Sequence, residues 1–149
     1  MRAALADAGL APDDVGYVNL HGTGTVYNDA MECAAVRRVF GERVACSSTK
    51  PLTGHCLGAA GAVEAALCWL TLRRGRGLPP HVTGNVDREL APFRIPAPGD
   101  ETPVRTVLSN SFAFGGSNAS LILGKVKGAE GELAKGLEPL RRVRSSRRS

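Results

Sequence analysis

The sequence has few aromatic residues, no unbroken apolar run of membrane length, and no motif typical of a metal or nucleotide site. Aromatic side chains are 5% of the 149 residues, so the core must consist of Leu, Val and Ala with close Gly packing. The apolar run 57–72 contains Glu64 and is short for a membrane span, which predicts a buried helix. His21, His55 and His81 lack metal-ligand spacing, and neither GxGxxG nor GxxxxGK[ST] occurs. We therefore expect no membrane association, no metal and no nucleotide-phosphate site.

The cysteines show no disulfide pattern. Cys33, Cys46, Cys56 and Cys68 form no CxxC pair and lie within periodic or apolar segments, which is typical of reduced thiols. The first ten residues have a polar-faced helical pattern rather than the apolar segment of a signal peptide. These features predict a cytoplasmic protein.

The net charge of +5 comes from the C-terminal end of the chain. Residues 125–149 hold eight basic and three acidic side chains, whereas basic and acidic residues balance in the first 124. A neutral body predicts no binding to nucleic acid or to a membrane surface. We predict a folded domain over 1–126 and a basic, disordered tail over 127–149.

Hydrophobic periodicity predicts a chain of alternating helices and strands. A short helix over 2–8 is expected to stop at Gly9. Asp29 to Glu32 is typical of a helix start with a capping-box carboxylate, and Gly41 ends that helix. A long helix, apolar on nearly all sides, is expected at 54–73, and an irregular connection at 75–103. Strands are expected at 15–20, 44–48, 104–110 and 119–126.

Three polar motifs directly follow predicted strands. They are HGTGT at 21–25, STK at 48–50 with GH at 54–55, and NSFAFGGSN at 110–118. In open α/β sheets, ligands gather at the carboxyl ends of strands. We therefore expect the three motifs to converge on one catalytic or binding site.

The residue types in these motifs are suited to stabilising a developing oxyanion. His21 and His55 can act as neutral N–H donors. The glycines at 115–116 allow backbone N–H groups to approach a carbonyl closely. Thr23 and Thr25 offer hydroxyl groups along a channel. The residues alone do not specify the reaction.

Together the motifs resemble those of the β-ketoacyl-acyl-carrier-protein synthases of fatty acid and polyketide synthesis. VNLHGTGT with Asn28, Asp29 and Glu32, then SSTKPLTGHCLGAAGAVEAA, then SNSFAFGGSNASLIL occur in the family's order. The resemblance covers roughly residues 1–126. It implies an α/β fold, the C-terminal half of a thiolase-like αβαβα layered sandwich, with helix 54–73 buried between two sheets.

The resemblance implies a decarboxylative condensation. In this family a cysteine thiolate takes up an acyl chain, and decarboxylation of a malonyl-carrier protein supplies the carbanion that attacks it. His21 and His55 match the histidines that stabilise the malonyl thioester oxygen as it becomes an enolate. Lys50 matches the family lysine, and Glu32 its expected ion-pair partner, a pair that orients His55.

Further positions match the substrate channel of the family. Phe114 matches the gating phenylalanine, whose backbone N–H contributes to the oxyanion hole beside Gly115. Phe112 is as consistent with a core residue as with the gate. Thr23 and Thr25 match the threonines that line the phosphopantetheine arm.

Two features depart from the family pattern. Ala113 stands where the family's FGFGG has glycine, and it adopts positive φ less freely, which predicts restricted gate motion. The nucleophilic cysteine is expected in an N-terminal half that this sequence lacks, because Cys46 matches an ordinary strand position despite the serines that follow it. The alternatives are a condensing enzyme completed by the other half, a non-catalytic partner subunit, and an inactive fragment.

The resemblance also implies the partners of the chain. They are an acyl carrier protein and either the N-terminal synthase half or a second synthase subunit, in an enzyme that is a homodimer. No cofactor is expected beyond the phosphopantetheine that carries the substrates. Chain-length preference, and the choice between fatty acid and polyketide synthesis, stay open.

Overall fold

A computed structural model describes residues 1–82, 86–87, 89–90 and 93–125. Within these ranges the helices are α1 (Arg2–Ala8), α2 (Val26–Phe40), α3 (Lys50–Thr53) and α4 (Ala60–Arg74). The strands are β1 (Tyr17–Asn19), β2 (Ala45–Ser47), β3 (Thr106–Phe112) and β4 (Asn118–Gly124). Single 3-10 turns occupy Pro12–Asp14 and Leu57–Ala59. The predicted tail at 127–149 lies outside the described residues, and the domain boundary at 126 stays a prediction.

The four strands form one sheet in the order β2-β1-β3-β4. β1 pairs in parallel with β2 and with β3, whereas β4 returns antiparallel to β3. The carboxyl ends of β1, β2 and β3 therefore lie at one edge of the sheet, and the loops that follow β1 and β2 leave from that edge.

Strand residues alternate between two apolar cores, as the two-residue period of a strand requires. One core contains Leu5 of α1 and Cys33, Val36 and Phe40 of α2, and the other contains Cys68 and Leu72 of α4. The first core takes Val18, Cys46 and Leu108 from the sheet, and the second takes their chain neighbours Tyr17, Ala45 and Val107. The sheet is thus covered by helices on both faces, with α1 and α2 on one side and α4 on the other.

The predicted helix at 54–73 begins six residues later than expected. Gly54 and Leu57 both have positive φ, at 71° and 49°, which a continuous right-handed helix does not allow. α4 therefore starts at Ala60 and ends at Arg74, and Gly75 caps it in the left-handed conformation. Burial of this helix between two sheets stays a prediction, because the described residues form a single sheet. The buried residues of α4 share one face, whereas Trp69 and Leu70 are each 46% exposed.

The predicted start of α2 at Asp29 is also wrong. The helix begins at Val26 with Thr25 as the preceding cap residue, and the Asp29 N–H donates to the Thr25 carbonyl. Glu32 consequently lies in the second turn, where it cannot close a capping box. Its carboxylate is 1% exposed and points away from solvent into the site described below.

Candidate active site

The three polar motifs meet at the carboxyl edge of the parallel strands. His21 follows β1, Lys50 follows β2, and Phe112 ends β3. The ring centroids of His21 and His55 are 5.5 Å apart in an edge-to-face arrangement, and those of His21 and Phe112 are 5.8 Å apart. The predicted convergence of the motifs is confirmed, whereas the catalytic roles of their residues stay predictions.

His21 is buried and neutral at physiological pH. Its burial, followed by the nearby charges of Lys50 and His55, lowers the pKa of the imidazole to about 4. The Lys50 ammonium lies 3.4 Å from Nδ1 of His21. An ammonium can only donate, so Nδ1 accepts and Nε2 carries the ring proton.

A backbone N–H group donates to Nδ1 of His55. This histidine lies in the exposed segment between α3 and α4, and the N–H of Leu57 donates to its Nδ1 at 3.3 Å. The left-handed conformation of Leu57 forms part of the turn that makes this contact. Because its Nδ1 accepts this hydrogen bond, the ring proton of His55 lies on Nε2, and the two rings offer a pair of Nε2–H donors.

Lys50 pairs with Glu64, and the expected ion pair with Glu32 is wrong. The Lys50 ammonium contacts the Glu64 carboxylate and the backbone carbonyl of His21. Both charged side chains are almost fully buried, at 6% and 1% exposure. Burial at this depth requires a partner of opposite charge. Sequence reasoning took Glu64 only as an interruption of an apolar run, although a lone carboxylate on a buried helix predicts such a partner.

Glu32 organises the backbone of the HGTGT loop instead. Its two carboxylate oxygens accept the N–H of His21 at 2.9 Å and the N–H of Gly22 at 2.8 Å. The side-chain amide of Asn110 donates to the first of these oxygens at 3.1 Å. Burial raises the pKa of Glu32, and these three donors together with Lys50 oppose that increase by stabilising the ionised form.

Ser48 connects the two histidine-bearing loops. Its hydroxyl donates to the carbonyl of Gly22 at 3.0 Å and accepts the Lys50 N–H at 3.3 Å. Gly22 has φ +40°, and a Cβ added there would lie 2.6 Å from Cβ of Ser48. Glycine is therefore required at position 22 by both conformation and space.

The glycine-rich loop places Phe112, and not Phe114, against His21. Phe114 is fully exposed in a tight turn that Ala113 closes by donating its N–H to the Ser117 carbonyl at 2.9 Å. Gly115 and Gly116 of this turn have φ +86° and +85°. Ala113 is free of positive φ, so it is unstrained in this conformation. The gating and oxyanion roles of this loop are taken up as proposals below.

The threonines lie beside an open cleft. The hydroxyl groups of Thr23 and Thr25 are 2.9 Å apart and exposed. Thr23 lines a cleft of about 510 Å³ together with Lys50, His55 and His81. A cleft of this size can admit an extended thioester arm.

Three of the four cysteines are buried thiols with raised pKa values. Burial raises the pKa of Cys33 to about 11 and that of Cys68 to about 12, and it also raises that of Cys46, so these thiols are protonated at neutral pH. Cys56 is exposed, and all four cysteines are free. Among the described residues, no cluster of His, Cys, Asp and Glu is arranged to hold a metal ion. No helix in the same ranges is long and apolar enough to cross a membrane.

Comparison with known proteins identifies the family. A family profile described as "Beta-ketoacyl synthase, C-terminal domain" matches residues 1–85. The 3-oxoacyl-[acyl-carrier-protein] synthase 2 of Coxiella burnetii is 42% identical over 129 residues, covering 85% of this chain and 31% of the relative.

Solved structures agree with this assignment. A ketosynthase from Xenorhabdus doucetiae, in complex with its chain length factor, is 48% identical with a TM-score of 0.75, covering 85% of this chain and 32% of that one. A type II polyketide synthase acyl-carrier protein in complex with its ketosynthase matches at 27% identity and a TM-score of 0.73, covering 84% of this chain and 31% of that one.

The chain belongs to the β-ketoacyl synthase family, and its sequence matches the C-terminal domain of that family. Its fold is that of the ketosynthases, and the predicted α/β class is confirmed. It spans about a third of the length of the relatives it matches.

Proposed function

We propose that this chain supplies the enolate-stabilising part of a β-ketoacyl-acyl-carrier-protein synthase site. The observation that carries the proposal is the pair of Nε2–H donors on His21 and His55. Both Nδ1 atoms are occupied by donors, so both rings are held in the tautomer that can donate from Nε2. Two neutral donors directed at one oxygen stabilise charge as it develops, without a proton transfer.

The reaction proposed at this site is decarboxylative condensation. The bond between the α-carbon and the carboxylate of a malonyl thioester breaks, carbon dioxide leaves, and the electron pair moves onto the thioester oxygen. His21 and His55 donate hydrogen bonds to that oxygen. The α-carbon then bonds to the carbonyl carbon of an acyl thioester held on a cysteine, and the cysteine leaves as a thiolate. That cysteine is proposed to come from the N-terminal part of the synthase.

The remaining site residues have positioning roles in this proposal. The buried Lys50–Glu64 pair fixes the ammonium against His21, where it acts together with burial to keep that ring neutral. Glu32 holds the loop backbone at His21. Phe112 forms one wall of the site, and Phe114 with Gly115 forms a gate that moves between the exposed turn and the site. Thr23 and Thr25 line the entry path of the phosphopantetheine arm, and no other cofactor is required.

The proposed partners follow from the same chemistry. The substrates are carried by an acyl carrier protein, and the nucleophile belongs to an N-terminal synthase half or a second synthase subunit. Relatives solved with a chain length factor and with an acyl-carrier protein support partners of these kinds. A cytoplasmic location is part of the proposal, supported by the four free cysteines.

A chimera tests the function. This chain replaces the matching third of a 3-oxoacyl-acyl-carrier-protein synthase 2, and condensation is measured with malonyl-carrier protein and an acyl donor. We expect activity that falls on the order of 100-fold or more in His21→Ala and in His55→Ala, because each loses an oxyanion donor. His81→Ala, which also lines the cleft, is the matched control and keeps its activity. Wild-type rates in both histidine variants would contradict the proposal, and an inactive but folded chimera would favour a non-catalytic subunit.

A further inference from the structure

A row of side-chain hydrogen bonds leads from β4 to the backbone of the HGTGT loop. Ser120 of β4 stands directly opposite Asn110 of β3 in the antiparallel register. The Ser120 hydroxyl donates to Oδ1 of Asn110 at 2.8 Å. Nδ2 of Asn110 donates to Oε1 of Glu32 at 3.1 Å, and the same oxygen accepts the His21 N–H at 2.9 Å.

The chemistry of these groups fixes the direction of each bond. An ionised Glu32 can only accept, so Asn110 must present its amide nitrogen to it and its oxygen to Ser120. A carbonyl oxygen also only accepts, so the Ser120 hydroxyl must be the donor. Without that hydroxyl, Oδ1 of Asn110 loses its donor, and fewer hydrogen bonds hold the amide in place. We expect a less firmly held amide to support the Glu32 carboxylate less well.

We propose that Ser120 is a positioning residue that orients the His21–Gly22 loop through Asn110 and Glu32. Ser120 itself touches neither imidazole ring nor the cleft. Its effect on catalysis rests on the proposed function, but its effect on the loop can be measured without catalysis. The nearby charged groups are Lys50, which favours the ionised Glu32 carboxylate, and the Met1 ammonium, which donates to the Ser120 hydroxyl at 3.0 Å.

Amide hydrogen exchange in the 149-residue chain tests this inference. The N–H groups of His21 and Gly22 both donate to Glu32, whereas the neighbouring N–H of Leu20 donates to the Ser47 carbonyl at 2.9 Å. In Ser120→Ala we expect the protection of His21 and Gly22 to fall roughly tenfold, because a hydrogen bond to a charged group is weakened. Protection of Leu20 and of the β3–β4 pairing is expected to stay at the wild-type level.

Two further variants separate the hydroxyl group from general packing. Ser120→Thr keeps the donor and is expected to retain wild-type protection at both amides. Ser111→Ala removes a hydroxyl group from the neighbouring position of β3, on the side of the strand that faces Gly61, and is expected to leave both amides unchanged.

Other outcomes would overturn the inference. Unchanged exchange at His21 and Gly22 in Ser120→Ala would show that Asn110 needs no orienting donor. An equal loss of protection along β3 and β4 would make Ser120 a residue of strand stability only. Failure of Thr to restore protection would exclude the hydroxyl group as the cause. None of these results depends on the chimera, so failure of the proposed function is recognised separately.

Discussion

At the scale of single residues, the buried pair of Lys50 and Glu64 determines much of the electrostatics of the site. Removing one partner leaves an uncompensated buried charge, which costs about 3–5 kcal/mol. We expect Lys50→Met and Glu64→Leu each to lose stability of this order in urea unfolding. The double variant replaces both charges with apolar groups and is expected to recover most of the loss. Strictly additive losses in the double variant would contradict a direct pair.

The neutrality of His21 predicts a pH dependence of stability. Because its folded pKa is about 4 and its unfolded pKa about 6.5, the unfolded state binds a proton first as pH falls. Stability is therefore lost between about pH 6.5 and pH 4, by up to about 1.4 kcal/mol per pH unit. The pKa of Glu32 is raised in the folded state. Between its unfolded and folded pKa values the folded state therefore binds the proton first, and this carboxylate adds stability as pH falls.

A variant isolates the contribution of His21 to this slope. Urea unfolding of wild type and His21→Asn is compared from pH 7 downward, so that Glu32 and all other groups contribute to both curves. The wild-type chain is expected to lose more stability than the variant over this interval. Parallel curves would mean that His21 is not the group that resists protonation.

Site residues that lie in a sequence motif could be predicted. A residue that reaches the site only through packing of the fold could not. His21, Lys50 and His55 each lie in a dense polar motif behind a strand, and the structure brings them together. The family resemblance predicts Glu32 as the partner of Lys50 and assigns Glu64 no role, whereas the structure pairs Lys50 with Glu64. Which carboxylate reaches Lys50 depends on the packing of α4 against the sheet, a contact that spacing along the chain does not contain.

At the scale of elements, the turn between β1 and α2 depends on glycine at position 22. A Cβ there would overlap Ser48 at 2.6 Å, in addition to the unfavourable φ of +40°. Gly24 is a matched control, because its φ is +74° but no atom lies within 4 Å of an added Cβ. We expect Gly24→Ala to cost about 1–2 kcal/mol, the conformational term alone.

Gly22→Ala is expected to cost clearly more than Gly24→Ala in urea unfolding. Since the additional loss comes from overlap with Ser48, the double variant Gly22→Ala/Ser48→Gly should regain part of it, even though it also loses the Ser48 hydroxyl. Equal losses for the two alanine variants would indicate that the loops separate readily and that Ser48 does not hold them together.

Element boundaries could be predicted where local signals act alone. α1 has the expected bounds because Gly9 ends it in the left-handed conformation. Each predicted strand is found, although β3 and β4 are displaced by one or two residues along the chain. The start of α4 was missed because the turn at Leu57 places a non-glycine residue at positive φ. No residue type in the segment before α4 predicts that turn.

At the scale of the whole molecule, exposed apolar side chains lie on the side of α4 that the family resemblance predicts to face a second sheet. Trp69 and Leu70 lie on the outward side of α4, each 46% exposed, and Leu57 before it is 77% exposed. The sheet covers the opposite side of α4. This distribution explains the all-round apolar sequence of the helix, since a protein that buries α4 between two sheets needs apolar residues on both sides.

The outward side of α4 is therefore expected to promote self-association of the isolated chain. In the chimera it is expected to pack against a second sheet. Trp69→Gln/Leu70→Gln should reduce self-association in light scattering with little change in the urea midpoint, because both side chains are already half exposed. In the chimera the same substitutions should impair folding and activity, because they place amides between two apolar layers. Met31→Gln, 48% exposed on α2, is the matched control in the outer layer and should leave the chimera active. Equal activity of the chimera with the α4 substitutions and with Met31→Gln would show that no second sheet packs against this face. The apolar residues of α4 would then need another explanation.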